Sequence, residues 1–189
     1  MAQTYEQMDA VAMLKADHRK VEEIFEAFEK ATSRDRKQKL AEQACLELKV
    51  HTTIEEEIFY PACRGRIEDD LLDESYVEHD SAKTLINEIE AGSPDEDFYD
   101  AKVKVLSEMI EHHVKEEEQR VEGVFSQARD AGLDMDELAD RMRARKMTAM
   151  EEFQAGKPAE TRVMHGDDVE SAMTDEPMDG QGVPLEGRR

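Results

Sequence analysis

Two short stretches of this chain carry the same pair of residues at the same spacing: His51-Thr52-Thr53-Ile54-Glu55 and His113-Val114-Lys115-Glu116-Glu117. In each, a histidine stands four residues before a glutamate, which on a helix sets both side chains on one face. The copies lie 62 residues apart, and two further histidines, His18 and His79, lie 61 apart, each upstream of its own copy. Imidazole and carboxylate together form a donor set for transition-metal ions. The pattern therefore asks whether His18, His51, Glu55, His79, His113 and Glu117 meet in space.

The elements that must position them are helices. Spacings of three and four give a first inward stripe of Val11, Leu14, His18, Val21, Phe25 and Phe28, on a helix from near Met8 to about Ala31 with Asp9 as N-cap. A second helix, about Asp35 to Cys63, turns Ala41, Ala44, Leu48, His51, Glu55, Phe59 and Ala62 inward, and Pro61 should end or kink it. A third, about Leu72 to Ala91, presents Tyr76, His79, Ala82, Ile86 and Ile89 before Gly92-Ser93-Pro94 closes it. A fourth, about Asp95 to Ala131, presents Val103, Leu106, Ile110, His113, Glu117, Val121 and Val124, and Gly132 stops it. Four long amphipathic helices with short links predict an all-α, up-down-up-down four-helix bundle over residues 8–131. The repeat agrees, pairing Leu48 with Ile110 and Phe59 with Val121, and Phe25 with Ile86.

An extra C-terminal helix is expected over residues 133–153, with Leu138, Met142, Met147, Met150 and Phe153 on its apolar side and Arg141, Arg143, Arg145 and Lys146 as a basic cluster. Packing across the bundle end against surface acids is the expectation for it. A protein partner met through residues 133–189 is the alternative, because Met-rich faces adapt to many surfaces. Residues 154–189, rich in Gly, Pro, Asp and Glu, read as a disordered acidic tail.

All six chemistry-bearing residues fall where the helical period calls for an apolar side chain. Buried without partners they would cost several kcal/mol each, and a metal centre compensates them together. Imidazole and carboxylate suit iron better than manganese or zinc here. The count suits two ions, two histidines on each, with Glu55 and Glu117 bridging. A ferric pair bridged by oxide or hydroxide would keep open positions for dioxygen, peroxide or nitric oxide.

His112 and Glu116 form a competing pair at the same spacing. Their frame would turn Val105, Met109, Arg120 and Gly123 inward, a poorer stripe, so His113 and Glu117 are preferred and His112 becomes a boundary residue. Glu56, Glu57, Glu116 and Glu118 read as solvated faces, Glu47 as a candidate to orient His51, and Tyr76 as leaning towards the core. His165 falls in the tail and reads as solvated.

The net charge of −22 argues against nucleic acid or an anionic membrane surface as partner. No basic stretch followed by an apolar one opens the chain, and no apolar run approaches the roughly 20 residues of a membrane span, so a cytoplasmic protein is expected. Cys45 and Cys63 fall on one expected helix, about 27 Å apart at about 1.5 Å per residue. That is too far for a disulfide, so both read as reduced thiols.

The stretches Asp17-His18, His51 through Pro61, Glu78-His79 and His112 through Glu118 resemble the hemerythrin-like (HHE) cation-binding family, over about residues 8–131. The resemblance implies a four-helix bundle around a non-heme di-iron site, with His18, His51, Glu55, His79, His113 and Glu117 as ligands. Two departures matter. Oxygen-carrying hemerythrins have a fifth histidine where this chain has Ser75, and an aspartate five residues after its histidine where this chain offers Glu117 at four. The set is closer to bacterial HHE proteins linked to oxygen or iron sensing, peroxide breakdown and nitric-oxide stress. It also resembles iron–sulfur-cluster repair proteins, without their cysteine-bearing N-terminal domain. A di-iron protein that binds or reacts with dioxygen, peroxide or nitric oxide in a cytoplasmic stress response is thus the expectation, with or without turnover. The alternatives are an iron- or oxygen-dependent regulatory module and an iron donor.

Overall fold

The computed structural model describes residues 7–162, and among these every regular element is helical. Helix α1 spans Ala10–Lys30, and Asp9 caps it by accepting from the Ala12 amide at 2.8 Å. Helix α2 spans Arg34–Ile54 under a Ser33 cap and runs on through a π-helical segment, Glu55–Phe59, into a last turn, Tyr60–Cys63. Helix α3 covers Asp69–Ala91, α4 Tyr99–Glu117, α5 Val124–Asp130 and α6 Met135–Gln154. Each of the four long helices α1 to α4 packs on the next and α4 packs back on α1, which closes the up-down-up-down bundle. No helix among the described residues is long and apolar enough to cross a membrane.

Pro61 acts where expected, but by changing the helix's pitch rather than ending it at once. Proline has no N–H to donate and its ring crowds the carbonyl four residues back. A wider turn just ahead absorbs the conflict, so that the Tyr60 amide reaches the Glu55 carbonyl, five residues back. The extra residue per turn rotates Tyr60 onto the inward face beside Phe59, and both are fully buried.

The fourth helix is shorter at both ends than the sequence suggests. It begins at Tyr99, after a turn in which Phe98 takes a left-handed φ of 69°. It stops at Glu117, and α5 starts only at Val124. The chain doubles back so tightly that a Cβ on Gly123 would stand 2.5 Å from the Glu117 carbonyl oxygen, which only glycine permits. Val121, expected inward, is therefore exposed, while Phe125 is carried into the core.

Helix α6 does not cross the bundle end. It lies along α2 and α1, burying Leu138, Ala139, Met142, Ala149 and Phe153, with Met147 left in solvent. Its basic residues do meet acids: Arg145 pairs with Glu57 and Glu152, and Lys146 with Asp17. The tail expected from residue 154 is held for its first described stretch. Ala159 is buried and its backbone exchanges hydrogen bonds with the Asn87 amide at 2.9 and 3.1 Å. Arg162 N donates to Asp80 at 2.9 Å. The rest of the tail, including His165, lies outside the described residues.

The two main apolar clusters of the core have a polar layer between them, and a small third cluster of Val50, Ala149 and Phe153 lies under α6. One apolar cluster holds Val21, Phe25, Leu48, Ile86, Leu106 and Ile110; the other holds Leu14, Ile54, Phe59, Leu72, Phe125 and Met142. His18, His51, His79 and His113 lie at the seam.

Candidate metal centre

The structure brings all six expected residues together, none more than 4 % exposed. They group as two imidazole pairs. His18 and His51 aim their Nε2 atoms at one another at 3.0 Å, with ring centroids 4.7 Å apart. His79 and His113 do the same at 3.1 Å and 4.7 Å. Glu55 and Glu117 lie between the pairs. Oε2 of Glu55 is 3.1 Å from His51 Nε2 and 3.5 Å from His79 Nε2. Oε2 of Glu117 is 3.4 Å from His18 Nε2 and 3.5 Å from His113 Nε2. Each carboxylate thus faces one imidazole of each pair.

The outer nitrogens explain why the inner ones are bare. Nδ1 of His18 donates to Glu118 at 2.9 Å, that of His79 to Glu56 at 3.0 Å and that of His113 to Glu78 at 2.7 Å, while that of His51 faces Asp17 at 3.6 Å. A proton held at Nδ1 leaves a lone pair at Nε2. Two lone pairs at 3 Å repel unless a proton or a cation lies between them. Two nitrogens about 2.1 Å from a shared ion and at right angles stand about 3.0 Å apart, so the observed spacing suits a metal. Glu55 Oε1 and Glu117 Oε2 are also buried with no hydrogen-bond partner, which a cation would satisfy.

These four outer carboxylates form a ring with one direction. Asp17 on α1 serves His51 on α2, Glu56 beyond α2 serves His79 on α3, Glu78 on α3 serves His113 on α4, and Glu118 at the end of α4 serves His18 on α1. Each is the sequence neighbour of an inward residue, and one position on a helix is a turn of about 100°. That turn takes it from the bundle axis to the flank facing the next helix. Because neighbouring helices run antiparallel, the correct neighbour alternates between preceding and following, as Asp17, Glu56, Glu78 and Glu118 do. Glu56 and Glu118 are accordingly not solvated faces. Glu47 does not orient His51; it pairs with Lys20 at 2.6 Å.

Tyr60 is the inner residue that helical periodicity missed. Its hydroxyl donates to Glu117 Oε1 at 2.8 Å and lies 3.4 Å from both Glu55 Oε2 and His79 Nε2. The signal that could reveal it is Pro61, whose conflict with a regular helix forces the wide turn. Tyr76 stops at the rim, 3.4 Å from the Glu56 carbonyl oxygen and under the Arg162 guanidinium. Ser75, in the place of a fifth histidine, turns its hydroxyl to the Leu71 carbonyl at 2.9 Å.

The electrostatics call for positive charge. Burial disfavours an imidazolium at His51, but the Glu55 and Asp17 carboxylates outweigh it and lift its pKa to about 10. His113 is lifted against burial to about 9 by Glu117 and Glu78. His79 is driven well below the usual histidine range by burial and by the neighbouring imidazoles His113 and His51. Burial would raise Glu117, yet His113 and His18 hold it down at about 2. Without a cation the cluster retains protons on imidazoles, and a metal would replace them.

Residues 9–125 match the family described as the hemerythrin HHE cation binding domain, and the chain belongs to that family. It is a metal-binding hemerythrin-like protein by family and by donor set. Among solved structures it is similar to a hemerythrin HHE cation binding domain-containing protein from Mycobacterium kansasii, with a TM-score of 0.65 at 19% identity over 79% of this chain and 91% of that one. That is a likeness of fold. Among curated proteins it is 28% identical over 111 residues to a DNA nickase of Nostoc sp., which covers 59% of this chain and 32% of the nickase. The chain thus spans about a third of that relative's length.

Proposed function

We propose that this chain holds two non-heme iron ions, one by His18 and His51 and one by His79 and His113, with Glu55 and Glu117 bridging. In this reading it binds or reacts with dioxygen, peroxide or nitric oxide as part of a cytoplasmic stress or redox response. The observation that carries it is that each of the two carboxylates faces one imidazole from each pair. When bound, the irons would supply redox chemistry and positions open to a diatomic ligand or peroxide. The protein supplies the rest. The outer carboxylates fix the imidazole tautomers, and the apolar layers on both sides keep bulk water out. Burial, with Glu117 and Glu55 nearby, pushes the Tyr60 phenol well above its usual range, so it stays protonated as a hydrogen-bond donor at the cluster.

The test is metal content with optical spectra, oxidised and reduced, with and without each ligand. The expected result is about two irons per chain and the absorption of an oxo-bridged ferric pair. His51→Ala and His113→Ala should each lower the iron content, and unchanged content in both would sink the ligand assignment. Steady-state peroxide consumption then separates an enzyme from a binder.

A second reading, an iron- or oxygen-dependent regulatory module, is favoured by two contacts. Lys146 on α6 holds Asp17, which faces His51, and Arg162 beyond α6 donates to the Glu56 carbonyl at 3.1 Å and so abuts the residue that orients His79. The C-terminal segment thus touches two quarters of the outer ring. Lys146→Met with Arg162→Met should shift the iron spectrum if that coupling operates, and an unshifted spectrum would remove it.

A further inference from the structure

The four outer carboxylates differ in what balances their charge. Asp17 is paired with Lys146, and Glu56 with Lys83 at 2.6 Å. Glu118 is paired with Arg19 at 2.7 Å and Lys15 at 3.5 Å. Glu78 pairs with no lysine or arginine among the described residues. One of its oxygens accepts from His113 Nδ1 at 2.7 Å, and the other faces His112 Nε2 at 3.6 Å. His112 Nε2 lies in turn 3.3 Å from Glu116 Oε1, and one ligand atom from each of Glu78, His112 and Glu116 falls within 4.8 Å of the others.

We propose that Glu78, His112 and Glu116 form a separate, solvent-facing site for a divalent cation, from which iron is passed to the buried centre. The inference rests on the di-iron reading for its destination, not for the surface site itself. Two carboxylates neutralise a divalent ion, and one imidazole gives the mixed nitrogen–oxygen set that suits ferrous, cobaltous and zinc ions. The position is accessible: the His112 side chain is 62% exposed and Glu116 35%, and the neighbouring groove between Val77, Ser81, Val105 and Met109 is open to solvent. Glu78 is shared. A cation bound to its outer oxygen is one imidazole away from the His79–His113 pair, so the carboxylate that orients a buried ligand also forms one wall of the outer site. The His112–Glu116 spacing, which competes in the sequence with His113–Glu117, has on this view its own use one residue round the same helix.

The experiment uses the full chain and cobaltous ion as probe. On iron-filled protein, cobalt should bind one further ion per chain with a nitrogen–oxygen visible spectrum, and His112→Ala or Glu116→Gln should weaken it about tenfold or more. In stopped-flow loading with ferrous ion, both variants should take up iron several times more slowly while reaching wild-type iron content and the wild-type final spectrum. Absence of extra cobalt on the wild type, or equal cobalt affinity in the variants, overturns the site. Cobalt binding that depends on His112 with an unchanged loading rate overturns the transfer role. If the wild type holds no iron at all, the buried reading fails by itself, because His112-dependent cobalt binding reports only on the surface cluster. Both substituted residues lie at the surface, and circular dichroism checks that the variants keep their helix content.

Discussion

The two halves of the bundle bring the same donor residues to the seam and cover them differently. His18 and His79 are equivalent by the repeat, and each has an aromatic ring stacked on it. On His79 it is Tyr60, at 5.5 Å and 29°, and on His18 it is Phe125, at 5.7 Å and 16°. The first half reaches that position by widening α2 into a π turn, the second by breaking α4 and folding back over Gly123. The outcome differs in one oxygen. The Tyr60 side of the cluster has a hydroxyl on Glu117, and the Phe125 side has hydrocarbon alone. A symmetric set of donor residues is thereby given an asymmetric cover, which makes the surroundings of the two imidazole pairs chemically distinct.

The largest expected effect tests the symmetric part. On the proposed di-iron site, Glu55→Ala and Glu117→Ala should each take iron from about two ions per chain to fewer than one, since each carboxylate faces one imidazole of each pair. Loss of only one ion in either variant, by elemental analysis, would replace bridging with separate binding. Next comes the cover. Gly123→Ala forces a methyl group against the Glu117 carbonyl and should cost about 1–3 kcal/mol in denaturant unfolding. A neutral result would mean that the fold-back is not needed to place Phe125. Tyr60→Phe, which makes the two sides alike, should cost about 1–2 kcal/mol by leaving Glu117 Oε1 without its donor. It should keep the iron and change the spectrum of the ligand-bound form, whereas an identical spectrum would mean that the hydroxyl does not reach the bound ligand.

The smallest effect concerns the first half alone, where both cysteines lie. Burial pushes the Cys45 thiol up to about 12, and burial with the Glu117 and Glu55 charges does the same to Cys63. An unfolded chain ionises its thiols near the unperturbed value of 9.0 while the folded chain does not. Their contribution to stability is therefore full below pH 9.0 and falls as the pH rises towards about 12. Thiol labelling at pH 8 should accordingly follow the unfolding of the first hairpin, and rapid labelling of the native chain would contradict their burial.

Much of this was legible in the sequence because the helical period reports direction. Residues at spacings of three and four placed His18, His51, Glu55, His79, His113 and Glu117 on inward stripes, and the structure brings them together. The period stops reporting direction where the backbone leaves it. Tyr60 is turned inward by the wide turn before Pro61, and Val121 outward by the break after Glu117, and a fixed 3.6-residue rule anticipates neither. Glu56 and Glu118 read as solvated from the sequence because flank positions face water on an isolated helix, whereas in a closed bundle they face the next helix. The place of α6 along α1 and α2 depends on tertiary packing that its own pattern does not encode.

The one-way ring of Asp17, Glu56, Glu78 and Glu118 bears on which bundle forms. Apolar stripes alone are satisfied equally well when four connected helices wind clockwise or anticlockwise, since the inward faces are the same in both. The flanking acids are not indifferent. In the opposite winding every one of them would point away from the helix that carries its imidazole, leaving four buried imidazoles without acceptors and four carboxylates against the wrong neighbour. The residues that orient the buried imidazoles thus also favour one hand of the bundle over the other.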